Sequence, residues 1–128
     1  MKRTNISSGA KWEKLVGYSR AVRIGQVIEV SGTTAVVAGR LIGVDNPYLQ
    51  TKVILESIEQ ALVGVGACMK DVVRTRIYVT DIDSWEEVGK AHFEFFEDIK
   101  PATSMVEVMR LIHPDMIVEI EATAIVSK

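Results

Sequence analysis

The stretch Val73-Arg74-Thr75-Arg76-Ile77-Tyr78-Val79 decides the fold. Val73, Thr75, Ile77 and Val79 share one parity and Arg74, Arg76 and Tyr78 the other, the period of a half-buried β-strand. Segments of helical spacing flank it. On the N-terminal side Ile54, Ile58, Ala61 and Val65 recur every three or four residues, so one stripe of a helix over 49–65 faces a core. Asp45-Asn46-Pro47 supplies its N-cap and a proline for the first turn, and Gly64 and Gly66 end it. On the C-terminal side Trp85, Val88, His92, Phe96 and Ile99 share a face of a second helix. Asp83 or Ser84 caps that helix, and Lys100-Pro101 stops it. Farther out, 20–31 reads as two strands joined at Gly25-Gln26, 33–37 extends the unit, and Gly39-Arg40 turns the chain before Leu41-Ile42. Two last strands, 103–111 and 116–126, are separated by the turn His113-Pro114-Asp115.

The order predicts an α+β layout, a mixed sheet of about six strands with two helices on one face. Val106, Val108, Val118, Ile120, Ala122 and Ala124 have the parity expected beneath the helices. The opposite face would then carry Thr103, Met105, Glu107, Met109 and Leu111, together with Glu119, Glu121, Thr123, Arg74, Arg76 and Tyr78. Such a mixture of methionine, tyrosine and opposite charges suits a contact between subunits better than a solvated surface. Clefts at such contacts are common ligand sites.

A length of 128 residues with 48% hydrophobic and 25% charged residues suits a single folded domain over 1–128. The net charge of −2 gives no attraction to phosphate backbones or anionic membranes, so neither nucleic acid nor membrane is an expected partner. The start, Met1-Lys2-Arg3-Thr4-Asn5, lacks the apolar run of a secretory signal, and 61–69 is too short to span a bilayer. Cys68, the only cysteine, excludes an intrachain disulfide and suits a cytoplasmic location; it reads as a small apolar filler. Gly64-Val65-Gly66 ends a helix instead of opening one, so it does not cradle a phosphate.

Motifs along nearly the whole chain carry a resemblance. Gly17-Tyr18-Ser19-Arg20-Ala21-Val22, Val30-Ser31-Gly32, Gly66-Ala67, Asp71-Val72-Val73-Arg74-Thr75, Pro101-Ala102-Thr103-Ser104 and Val118-Glu119-Ile120-Glu121-Ala122 resemble, in order and spacing, the RidA/YjgF family. The resemblance implies a chorismate-mutase-like α+β fold and a homotrimer whose sheets form a central barrel, with a small-molecule pocket at each subunit boundary. It also implies metal-free and cofactor-free hydrolysis of reactive enamines and imines to keto acids and ammonia.

The chain departs from that pattern at the expected site. Imine-deaminating members carry arginine in a P-A-R-S stretch, where its guanidinium can clamp a substrate carboxylate; here the position is Thr103, whose neutral hydroxyl cannot do the same. Met105 stands for a frequent cysteine and Gly89 for a frequent asparagine. The resemblance leaves Glu119 as the residue positioning or activating water, with Tyr18, Ser31, Gly89, Thr103 and Met105 around the ligand. Each has a structural alternative. Glu119 and Glu121 can pair with Arg74 and Arg76, Tyr18 can cover an edge, and Ser31 can end a strand. Arg20 is a candidate substitute cation whose reach the sequence does not show. His92 on an apolar stripe reads as a packed core histidine, and His113 as a turn residue before proline; no zinc site is expected. Three functions remain open: a hydrolase, a non-catalytic metabolite-binding module, and, disfavoured by the absence of a basic stripe or histidine pair, a ribonuclease or translation inhibitor.

Overall fold

Strand alternation in the second half of the chain supplies the middle of the sheet. The computed structural model describes residues 1–127. Strands β1 (Arg3–Ile6), β2 (Ala21–Ile24), β3 (Val27–Thr33), β6 (Val72–Val79), β7 (Ala102–Glu107) and β8 (Val118–Ile125) form one sheet in the order β1-β2-β3-β8-β6-β7. Strand β8 lies antiparallel between β3 and β6, while β7 runs parallel to β6 at one edge. On β8, Val118, Ile120, Ala122 and Ala124 are buried, and the residues between them face the open side. Helices α2 (Pro47–Gly64) and α3 (Trp85–Phe96) pack together, and α2 lies on β3 and β8. This is the expected mixed α+β sheet.

Local chemistry explains the boundaries. The Asn46 side chain accepts the Leu49 N–H at 3.0 Å and Pro47 occupies the first turn of α2. Ile54, Leu55, Ile58, Ala61 and Leu62 then drive α2 onto the sheet. Gln50, fully buried in α2, has a further role. Its amide donates to the carbonyls of Gly43 (3.1 Å) and Asp115 (2.8 Å), and its Oε1 accepts the Ile117 N–H (3.1 Å). A buried amide satisfied on three sides ties the loop before β8 to the helix.

Several expectations are corrected. The chain adds β1 and a short helix α1 (Lys11–Val16), and residues 36–41 fold into a small hairpin of β4 (Val36–Val37) and β5 (Arg40–Leu41) turning at Ala38-Gly39, both at positive φ. A bulge between Val72 and Arg74 puts Val72 in the core and leaves Val73 exposed. The Asp81 side chain accepts from Asp83 N–H ahead of α3, while Ser84 makes no side-chain cap. Trp85, in the first turn, is 57% exposed, and burial of α3 begins at Val88.

The largest correction concerns β7. Thr75 pairs with Thr103, Ile77 with Met105 and Tyr78 with Val106, and directly paired residues share a face. Thr103 and Met105 therefore stand on the helix side, and Val106, 47% exposed, stands on the open side. The strand also stops at Glu107 instead of running on to Leu111.

His92 lies between α3 and the sheet, its ring 4.5 Å from that of Phe96. Burial pushes its imidazole down to about 4, so the folded protein resists protonation that the unfolded chain accepts near 6.5. Stability from this residue is complete above pH 6.5 and is lost as pH falls toward 4. Urea unfolding between pH 7 and pH 4.5 should show a steeper acid loss in the native protein than in His92→Phe; equal slopes would contradict the assignment.

Candidate functional site

A cleft of about 1080 Å³ opens between α1, the start of β2, the end of β3, the β4–β5 hairpin and the loop before β8. Its polar and charged lining includes Lys11, Tyr18, Arg20, His113 and Glu119. Helix α1 is placed by buried Glu13, whose carboxylate accepts from Ser7 Oγ (2.7 Å) and from the Ser8 amide and hydroxyl. Burial works to raise this carboxyl, but the Ser8 and Ser7 hydrogen bonds outweigh it and hold it below the usual range. Gly17, at φ 92°, turns the chain out of α1, and the Gly17 and Tyr18 N–H groups both bond the Glu13 carbonyl. Tyr18 is thereby set at the cleft.

Arg20 follows. Its Nη2 donates to the Gly32 carbonyl at 2.6 Å, and its guanidinium lies 5.8 Å from the centre of the Tyr18 ring. Its Nε is buried and has no partner among the described residues. Strand β3 carries an irregularity between Val30 and Thr33, where Ser31 and Gly32 together fill the space opposite β8. The bulge brings Gly32 under Glu119. A Cβ at position 32 would collide with the Glu119 carboxylate, so the missing side chain makes room for it.

The two glutamates of β8 have different surroundings. Glu121 accepts from the Tyr78 hydroxyl at 3.3 Å and lies 3.7 Å from Arg76 Nη1. Arg74 instead donates to Ser104 Oγ at 2.9 Å. Glu119 has no hydrogen bond or ion pair among the described residues. Burial raises its carboxyl; Arg20 pulls it part of the way back, Glu121 adds to the rise, and the net shift is upward. The expected pairing with arginine thus holds for Glu121 alone.

Of the expected site residues, only Tyr18 and Glu119 meet in this cleft. Ser31 lines a neighbouring hollow of about 450 Å³ with Tyr18, and its hydroxyl donates to the Ser19 carbonyl at 2.6 Å. Thr103 and Met105 stand on the opposite face of the sheet, at the β7 edge. Thr103 Oγ1 is 2.8 Å from Thr75 Oγ1, which is 3.0 Å from His92 Nε2. Gly89, on α3 one turn before His92, leaves open space where a side chain would stand. The expected residues thus fall into two groups, Tyr18 and Glu119 at the cleft, and Thr103, Met105 and Gly89 on β7 and α3. Gly32 is the residue that sequence reasoning missed, a glycine inside a strand being the signal for the bulge; His113 keeps its expected turn role, its Nδ1 accepting the Asp115 N–H at 3.1 Å, and also lines the cleft. Among the described residues, no group of three or more histidine, cysteine, aspartate or glutamate side chains is placed to hold a metal.

The Endoribonuclease L-PSP family model matches residues 9–126. A YjgF family protein of Mycobacterium tuberculosis shares 53% identity, with a TM-score of 0.90 over 98% of this chain and 100% of that one. A Rid family protein of Yersinia pestis, of unknown function, is 27% identical with a TM-score of 0.84 over 98% and 100% of the two chains. A RutC family protein of Pyrococcus abyssi is 34% identical across 84% of each chain.

Because the obstructing atoms at Gly32 are the end of a flexible side chain, Gly32→Ala should displace the Glu119 carboxylate without unfolding the sheet. In a double-mutant cycle with Glu119→Ala, denaturant unfolding should give a coupling of about 0.5–3 kcal/mol. Strict additivity would mean that the two residues do not touch.

Proposed function

The chain belongs to the Endoribonuclease L-PSP family, the RidA/YjgF group, and we propose that it is a metal-free hydrolase of a small imine, enamine or similarly activated metabolite. The observation that carries this reading is Glu119: a half-buried carboxylate, raised above its ordinary range, facing a cleft with no partner. A carboxylate nearer to neutrality makes a better general base. Glu119 takes a proton from water as the water oxygen bonds to the imine carbon, and the C=N π electrons pass to nitrogen. Glu119 returns that proton to the nitrogen to give the carbinolamine; its hydroxyl proton then passes to the amino group, the C–N bond breaks with its electrons on nitrogen, and ammonia leaves the carbonyl product. Arg20 holds an anionic group of the ligand and Tyr18 forms the wall.

A trimer supports the same chemistry. A second copy that laid its Gly89, Thr103 and Met105 edge against the cleft would join the two groups across a subunit boundary. Binding without turnover is the second reading, and Thr103 in place of the family arginine favours it. Phosphodiester cleavage fits the cleft poorly, because the net charge is −2 and one of the two histidines bonds Thr75 on the helix side of the sheet.

A coupled assay that generates 2-iminopropanoate in situ tests the proposal. The native protein should hydrolyse it slowly, and Glu119→Gln should abolish the activity. Thr103→Arg should raise the rate roughly tenfold to a hundredfold, the effect of one charge-assisted hydrogen bond. Fast turnover undiminished by Glu119→Gln would contradict this reading. No turnover, with saturable ligand binding lost in Arg20→Met, would establish the binding module instead.

A further inference from the structure

We infer that His92 is a positioning residue: through Thr75 it sets the Thr103 hydroxyl as a hydrogen-bond acceptor, so that the β7 edge takes an N–H donor, an amide or amine, and not a carboxylate. The inference rests on the reading above that this edge faces the ligand.

Proton counting along the chain of contacts supports it. Thr103 Oγ1 donates to the Pro101 carbonyl at 3.2 Å, and a carbonyl can only accept. That uses the single hydroxyl proton of Thr103. The 2.8 Å contact between Thr103 and Thr75 must then be made with the proton of Thr75. Thr75 now has only lone pairs to offer the His92 Nε2 at 3.0 Å, so Nε2 carries the hydrogen. One direction alone, His92 to Thr75 to Thr103 to Pro101, makes all three contacts hydrogen bonds. Thr75 is fully buried, where an unsatisfied hydroxyl is costly, so the chain is held from within. Burial also keeps the imidazole neutral, as this direction allows.

The consequence appears at the exposed end. Thr103 has donated once and accepted once, and one lone pair remains on a side chain that reaches the surface. Arginine at this place would offer donors only. Threonine, oriented by His92, offers an acceptor. Gly89, one turn before His92 on α3, leaves open space where a side chain would stand.

Imidazole ¹⁵N spectroscopy of the intact protein at neutral pH should show His92 protonated at Nε2 and bare at Nδ1; the opposite tautomer would overturn the inference without any variant. Titrations with propionamide and with propionate, followed at the Thr103 methyl group, test the selectivity. Propionamide should shift that signal more strongly, and the preference should fall roughly two- to tenfold, the range of one neutral hydrogen bond, in both His92→Phe and Thr75→Val. Equal responses, no response, a preference for propionate, or an unchanged preference in His92→Phe would each overturn it. These readouts do not involve Glu119, so failure of imine hydrolysis leaves them standing, and their failure leaves the Glu119 chemistry intact.

Discussion

The arrangement of functional groups depends on the register of β8 between β3 and β6. Because side chains alternate along a strand, the pairings of Ile120 with Ile77 and of Glu119 with Tyr78 decide together what is buried and what faces the cleft. A slip of one residue would drive Glu119 and Glu121 into the core and expose Ile120 and Ala122, at a cost no surrounding interaction offsets. The register is enforced from both sides, since the small residues Ala122 and Ala124 fit beneath α2 while Gly32 leaves room above for the Glu119 carboxylate.

That register also separates the fates of two otherwise similar carboxylates. Glu121 has Arg76 and Tyr78 as neighbours and needs no other explanation than stability. Glu119 is carried past these partners to the bulged end of β3, where the nearest cation, Arg20, spends a donor on the Gly32 carbonyl. A half-buried carboxylate left unpaired is unfavourable for folding, and such arrangements are concentrated where chemistry requires them. The β7 edge shows the complementary case: a buried chain of neutral hydrogen bonds orients one exposed hydroxyl.

Much of this was legible before the structure. The alternation around Ile77, the stripe of α2 with its Asn46 cap and the separation of Glu119 from Ile120 follow from periods that local sequence controls. Faces that depend on partners did not follow. Thr103 and Met105 take their side of the sheet from parallel pairing with β6, after a turn in which Lys100 adopts φ 53°, and counting along β7 alone gives no origin for the parity. Val73 was misplaced by a bulge at the end of its own strand. Arg20 was recognisable as a cation near the expected site, but its approach to Glu119 is created by the Ser31-Gly32 bulge, a tertiary feature.

The most direct test of the central claim is a ¹³C titration of the Glu119 carboxylate by NMR. An unpaired, half-buried group should titrate above the ordinary glutamate value of 4.5, and it should move higher still in Arg20→Met, which removes the one charge that lowers it. A midpoint at or below 4.5 in the native protein would mean that Glu119 has a stabilising partner, and would contradict its assignment as the free base of the cleft.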